Sequence, residues 1–295
     1  MNERSGSNLK AKLILLAGVF SCSMSSAFFR YMTAPSTIAA TYRLGWTVLL
    51  LTPLIFSKRE TRKELFSLKG KDLAFCGLSG LFLAMHFVVW FESLSNTSIA
   101  SSTVLVNTEV AFAAFGYLIF FGKKIRKKEI LAIGIAFLGS VVIAMADTGG
   151  GAGKNAVLGD ILALLAAFFS ACYTLIGTRE RSHMSTMVYT YVLYWGCFLS
   201  LLVFDAVSGV PMTGYEPINW IMSLCLAVFC TLLGHSVFSW SLKFLTPTYV
   251  STVKLAGPVF ASVSAILLFG EIPGLIQVAG AAVVLAGVYL YAKNS

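Results

Sequence analysis

Six side chains able to carry a charge stand inside long apolar runs of this sequence: Arg43, His86, Glu92, Glu109, His235 and Lys254. An ionised group in hydrocarbon costs roughly 2.5–3.5 kcal/mol even on the mildest insertion scale, so each one needs a partner, a wet cavity or a task. Glu109 offers a carboxylate that can hold an ammonium group, or take up and release a proton. Arg43 can grip a carboxylate with both arms of its guanidinium, and Lys254 can bind one as a point charge. Each also has a plain structural reading. Arg43 and Glu109 can pair with each other, and Lys254 can extend its stem toward the membrane surface. His86 is read equally well as a binding group and as a histidine satisfied by a neighbouring helix. Glu92, close to a helix end, and His235 are expected to serve packing.

Aromatic and small residues recur at helical spacing beside these charges. Trp90 follows His86 by one turn, and Trp46 and Thr47 follow Arg43. Tyr191, Tyr194 and Trp195 share one helix face. Turned inward, these rings would wall a cavity able to hold a cation or an apolar side chain. Turned outward, they would meet lipid. Trp220 reads as an interfacial anchor. Pro247, Ser251, Lys254 and Pro258 form one stripe, and carbonyls freed by the prolines are tolerated where they line a cavity. The expected substrate-binding set is therefore Glu109, Arg43, His86, Trp90, Trp46, Tyr191, Trp195, Lys254 and Ser251, with Glu109 also the candidate for proton coupling.

Several chemistries lack their kit. The glycine-rich stretch ending in Gly153-Lys154 fails the phosphate-loop pattern at both ends, because residue 148 is Thr148 and Asn155 follows the lysine. The three histidines, His86, His183 and His235, are far apart and form no zinc-protease motif. The six cysteines lie in apolar runs without CxxC spacing and read as small core residues. No cofactor, metal or catalytic residue is expected. A lysine-bound chromophore on Lys254 is a remote alternative, as is an integral-membrane enzyme.

Elements that position these groups follow from composition. Of 295 residues, 57% are hydrophobic and 12% charged, too few charges to clothe a soluble domain. Apolar runs long enough to cross a ~30 Å layer follow one another along the chain. They predict ten helices, at 11–31, 36–57, 71–94, 97–121, 127–146, 157–178, 185–205, 219–243, 246–269 and 273–292. Glu109 falls midway along the fourth, about 18 Å by helical rise from either end. Arg43 and His86 lie somewhat nearer the outer surface. The expected class is an all-α polytopic membrane protein.

Lysines and arginines set the orientation. With the N-terminus inside, nearly all of the 22 fall on inner segments; Arg30 and Lys154 lie outside, and Arg43 and Lys254 lie within helices. Both termini are expected in the cytoplasm, in the inner membrane of a cell. The net charge of +9 then reflects topology, so no nucleic-acid partner is implied. Lipid and a small-molecule substrate are the expected partners, and oligomeric state is open, a monomer included.

The loop around Gly149, Gly150, Gly151 and Gly153 divides the chain into 1–146, a linker at 147–160 and 161–295. An offset of 148 residues superposes Ser93-Leu94 on Ser241-Leu242, Phe112-Ala113 on Phe260-Ala261, Phe121-Gly122 on Phe269-Gly270, and Gly139 on Gly287. Five helices per half makes the repeat inverted, an architecture suited to alternating access around a midplane site.

The chain resembles the drug/metabolite transporter superfamily, in its ten-helix EamA-type branch. The resemblance rests on Tyr42-Arg43, on the run His86-Phe87-Val88-Val89-Trp90-Phe91-Glu92-Ser93-Leu94, on Asn96-Thr97-Ser98-Ile99-Ala100, on Gly257-Pro258-Val259-Phe260 and on Phe269-Gly270-Glu271. Two positions depart from the pattern: Val110 replaces the usual proline, and Lys123 stands where an acid is usual. The resemblance implies a secondary transporter, commonly an exporter of amino acids or related metabolites. Uptake or exchange of an organic cation such as a quaternary amine is the alternative.

Overall fold

The computed structural model describes residues 2–29, 31–97, 102, 105–122, 125–146, 155–257, 259–260, 263 and 274–294. Arg30, Lys123, the glycine-rich loop with Lys154, Pro258 and Phe269-Gly270-Glu271 lie outside the described residues.

Every described element is helical. In chain order they are α1 (Asn2–Ser23), α2 (Ser25–Phe29), α3 (Ser36–Ser57), α4 (Arg59–Phe66), α5 (Gly70–Asn96), α6 (Glu109–Phe121), α7 (Lys127–Ala146), α8 (Ala156–Glu180) and α9 (Thr186–Ser208). They end with α10 (Pro217–Ser241), α11 (Pro247–Lys254) and α12 (Leu275–Asn294). Among the described residues, six helices are long and apolar enough to cross a membrane: α1 with α2, α3, α5, α8, α9 and α10. Shorter apolar helices at Glu109–Phe121 and Val278–Tyr291 accompany them. Such a chain can satisfy its backbone in hydrocarbon only by internal helical bonds, so this is a multi-pass membrane protein.

Predicted and observed bounds agree closely at 36–57 and 127–146. The expected continuous helix at 97–121 is corrected. Residues 105–106 are helical, Asn107 and Thr108 form a turn, and α6 opens at Glu109. Glu109 thus stands in a first helical turn, where the helix dipole favours negative charge. Likewise α11 stops at Lys254, followed by a turn at Leu255 and Ala256. Within α10, Leu226–His235 is wound as π-helix, a form that recurs at functional sites.

Helices pack in pairs: α5 on α8, α1 on the π-helical part of α10, α3 on α9, and α7 on α12. The last contact is close because it is made by glycine. A Cβ at Gly139 would lie 2.6 Å from the Val284 nitrogen, and one at Gly287 would lie 2.4 Å from that of Ala136. Small residues let membrane helices approach in this way, so Gly287 serves packing inside the chain. One apolar core gathers α3, α5 and α9 around Leu44, Phe87 and Tyr194; a second gathers α1, α7, α11 and α12 around Leu15, Val250 and Val284.

Candidate functional site

A cluster of buried polar residues forms where α6, α8 and α11 meet. Glu109, only 6% exposed, receives the Lys254 ammonium on Oε2 at 2.6 Å. The Ser170 hydroxyl donates to the same oxygen at 2.7 Å. Ser251 donates to Oε1 at 2.9 Å and Thr174 at 3.4 Å. Four donors on one buried carboxylate offset the desolvation that would otherwise forbid its charge. Lys254 in turn lies 5.2 Å from the Phe238 ring and 5.8 Å from the Tyr173 ring, within cation–π range. It does not extend toward the membrane surface; Lys254 and its stripe neighbour Ser251 both donate to the carboxylate.

Of the two readings of Arg43, the pair with Glu109 is not formed. Lys254 takes the carboxylate, while Arg43 donates from Nε to the Thr231 hydroxyl at 2.6 Å. Its guanidinium lies 4.5 Å from the Phe87 ring centroid, and its Nη2 makes no hydrogen bond. Arg43 is 1% exposed, so a buried donor is left over. Thr231 can reach it because π winding sends the Thr231 hydroxyl back to the Leu226 carbonyl, five residues earlier. His86 is satisfied at Nδ1 by the Ala166 carbonyl at 2.9 Å and stacks on Trp90 with planes 11° apart. His235, between these groups, meets the Tyr173 hydroxyl at 3.2 Å and the Phe87 ring at 5.4 Å.

Other expected residues spread more widely. Trp90 and Trp46 each hold an indole N–H that is buried without an acceptor. Trp46 packs edge-on against Trp220, which stacks on Tyr42 and is half-exposed, as an interfacial anchor would be. Tyr191 shares a hydrogen bond with Thr52 at 3.2 Å. Trp195 shares a face with Tyr191 but turns outward, 36% exposed, and does not join the cluster. Glu92 stands exposed at the end of α5 and accepts from Asn96.

Sequence reasoning missed Ser170, Tyr173 and Thr174, although their spacing puts three polar groups on one face of an apolar helix. It also missed Asp205, which is fully buried, accepts from Thr41 at 2.5 Å, and leaves Oδ1 without a partner.

Two stretches of the chain, residues 9–145 and 157–292, each match the EamA-like transporter family. The chain belongs to that family. Its two matched copies begin 148 residues apart, 157 less 9, the same offset that superposes the sequence halves. This EamA-type transporter is 26% identical over 256 residues to a protein of Archaeoglobus fulgidus described as an uncharacterized transporter, covering 85% of this chain and 86% of that one. It is 23% identical over 254 residues to a probable amino-acid metabolite efflux pump of Escherichia coli, covering 82% of each. With the pseudopaline exporter CntI of Pseudomonas aeruginosa it shares 22% over 275 residues, 90% of this chain and 93% of the relative. A solved crystal structure superposes with a TM-score of 0.75 at 15% identity, covering 97% of both chains. That likeness shows a shared fold.

Proposed function

We propose that this EamA-type transporter is a secondary exporter of amino acids or related zwitterions, working by alternating access in the inner membrane, with both termini cytoplasmic and a proton as candidate coupling ion. It carries out no catalysis. The observation that carries this reading is the buried Glu109–Lys254 pair, which joins the two matched family segments. A zwitterion presents the same two charges as the pair. It can therefore replace the internal partners, ammonium to Glu109 and carboxylate to Lys254 or to the spare Nη2 of Arg43, without leaving a charge unpaired. A proton on Glu109 would release Lys254 equally well, which links the site to proton movement.

Ten helices in two inverted halves fit the packing pattern. A 148-residue offset relates the α5–α8 contact to that of α10 with α1, and relates α3–α9 and α7–α12 to themselves. Such an arrangement supports rocking of one half against the other around the pair. The organic-cation alternative fares less well, because the best-placed aromatic faces already hold the protein's own cations: Arg43 on Phe87 and Lys254 on Phe238 and Tyr173.

Counterflow in proteoliposomes tests the reading. Vesicles loaded with mixed amino acids are expected to accumulate a labelled zwitterion through the wild-type protein, and to fail with Glu109→Gln. Accumulation of quaternary amines in place of zwitterions would overturn it.

A further inference from the structure

A second cluster of ligating groups lies away from the Glu109 site, at the end of the bundle where α8 runs into α9. Asp72 opens α5, Glu180 closes α8, and His183 stands in the short loop that follows. His183 Nε2 is 3.4 Å from Asp72 Oδ1 and 3.4 Å from Glu180 Oε2. We propose that Asp72 Oδ1, Glu180 Oε2 and His183 Nε2 form a binding site for a divalent transition-metal ion of the zinc class.

Three observations carry this. The first is spacing. Metal–ligand bonds of about 2.0–2.1 Å in tetrahedral geometry put neighbouring ligand atoms roughly 3.3–3.4 Å apart, which is the separation found at the two edges that His183 makes; the third edge, Asp72 to Glu180, lies within 4.8 Å. A direct hydrogen bond would draw the atoms closer. The second is Glu180. Its side chain is 1% exposed, and its Oε2 accepts no hydrogen bond although it faces the other two ligands. A buried acceptor left open toward a histidine and a second carboxylate is a donor set suited to a cation.

The third is that the remaining polar atom of every ligand is already held. Asp72 Oδ2 accepts the Lys69 backbone N–H at 3.2 Å, closing the N-terminal cap of α5. Glu180 Oε1 faces Arg179 Nε at 3.6 Å, and that guanidinium is itself fixed on the Phe75 ring at 3.8 Å. His183 Nδ1 lies 3.5 Å from the Ser182 hydroxyl. Outer partners that orient the ligands are the usual companions of a metal site. Two carboxylates and a neutral imidazole cancel a divalent charge, and a fourth position is left for water. Calcium would ask for more oxygens than the cluster offers.

The ion would join α5 of the first family segment to α8 of the second, so that its binding favours the arrangement in which these ends meet.

The test uses the full-length protein in detergent, stripped with chelator and freed of any affinity tag, then titrated with Co²⁺ and afterwards Zn²⁺. The expected result is saturable one-to-one absorption of the intense tetrahedral kind, displaced by Zn²⁺, with Zn²⁺ raising the melting temperature. His183→Ala, at a half-exposed position, should abolish both responses, and Asp72→Asn should weaken affinity tenfold or more. Two variants on separate elements guard against a simple folding defect. Weak bands that grow without saturating would overturn the proposal. So would bands that persist in both variants, which would mean the cations bind elsewhere and His183 only bridges two carboxylates.

Discussion

At the scale of residues, the interior is organised around one carboxylate whose charge depends on its neighbours. Removing one partner of a buried pair strands the other, at a cost of about 3–5 kcal/mol, whereas removing both is far milder. Glu109→Gln and Lys254→Met are therefore each expected to lower stability strongly, and the double variant to recover much of the loss. Melting of the four proteins in detergent measures this; additive losses would mean that the pair is not formed. Glu109 and Lys254 were legible in the sequence as groups too costly to sit in lipid without a reason, and Ser251 as a member of the stripe that carries Lys254. Their pairing was not. Helical rise gives depth along an axis, and by depth Arg43 was a fair partner for Glu109. Which helices are neighbours is a lateral question that apolar runs do not answer. The Ser170–Thr174 face was readable but carries no charge, so it gave no energetic alarm.

At the scale of elements, backbone irregularity does the positioning. The turn at Asn107 and Thr108 puts Glu109 in a first helical turn, the break after Lys254 ends α11 beside it, and the π segment of α10 aims Thr231 at Arg43. Hydropathy reports apolar length and is blind to such winding, so the helices at 36–57 and 127–146 were readable and the interrupted ones at 97–121 and 246–269 were not. The α7–α12 contact supplies a sharper test. Gly287→Ala is expected to destabilise by about 1–3 kcal/mol through overpacking against Ala136. Gly134→Ala, where a Cβ meets nothing within 4 Å, is expected to be neutral or to stabilise by up to ~1 kcal/mol. Paired melting curves check this, and equal effects at the two sites would contradict the close approach.

At the scale of the whole molecule, the duplicated family segments place Glu109 in the first copy and Lys254 in the second. Any motion that separates the copies must break their bond or trade it for a substrate of matching charge. The 148-residue offset was visible in the sequence because glycines and helix ends repeat where packing demands them. The substrate was not visible, because charge and shape complementarity depend on side chains brought together from three helices. The most direct measurement is a thermal-shift screen of the purified protein against amino acids, amines, nucleosides and sugars, repeated on Glu109→Gln. A zwitterion at a hundredfold excess over its Kd should stabilise the wild-type protein by about 2.7 kcal/mol and leave Glu109→Gln unmoved. A zwitterion that stabilises both proteins equally would contradict the account, since Glu109 would then lie outside the binding site.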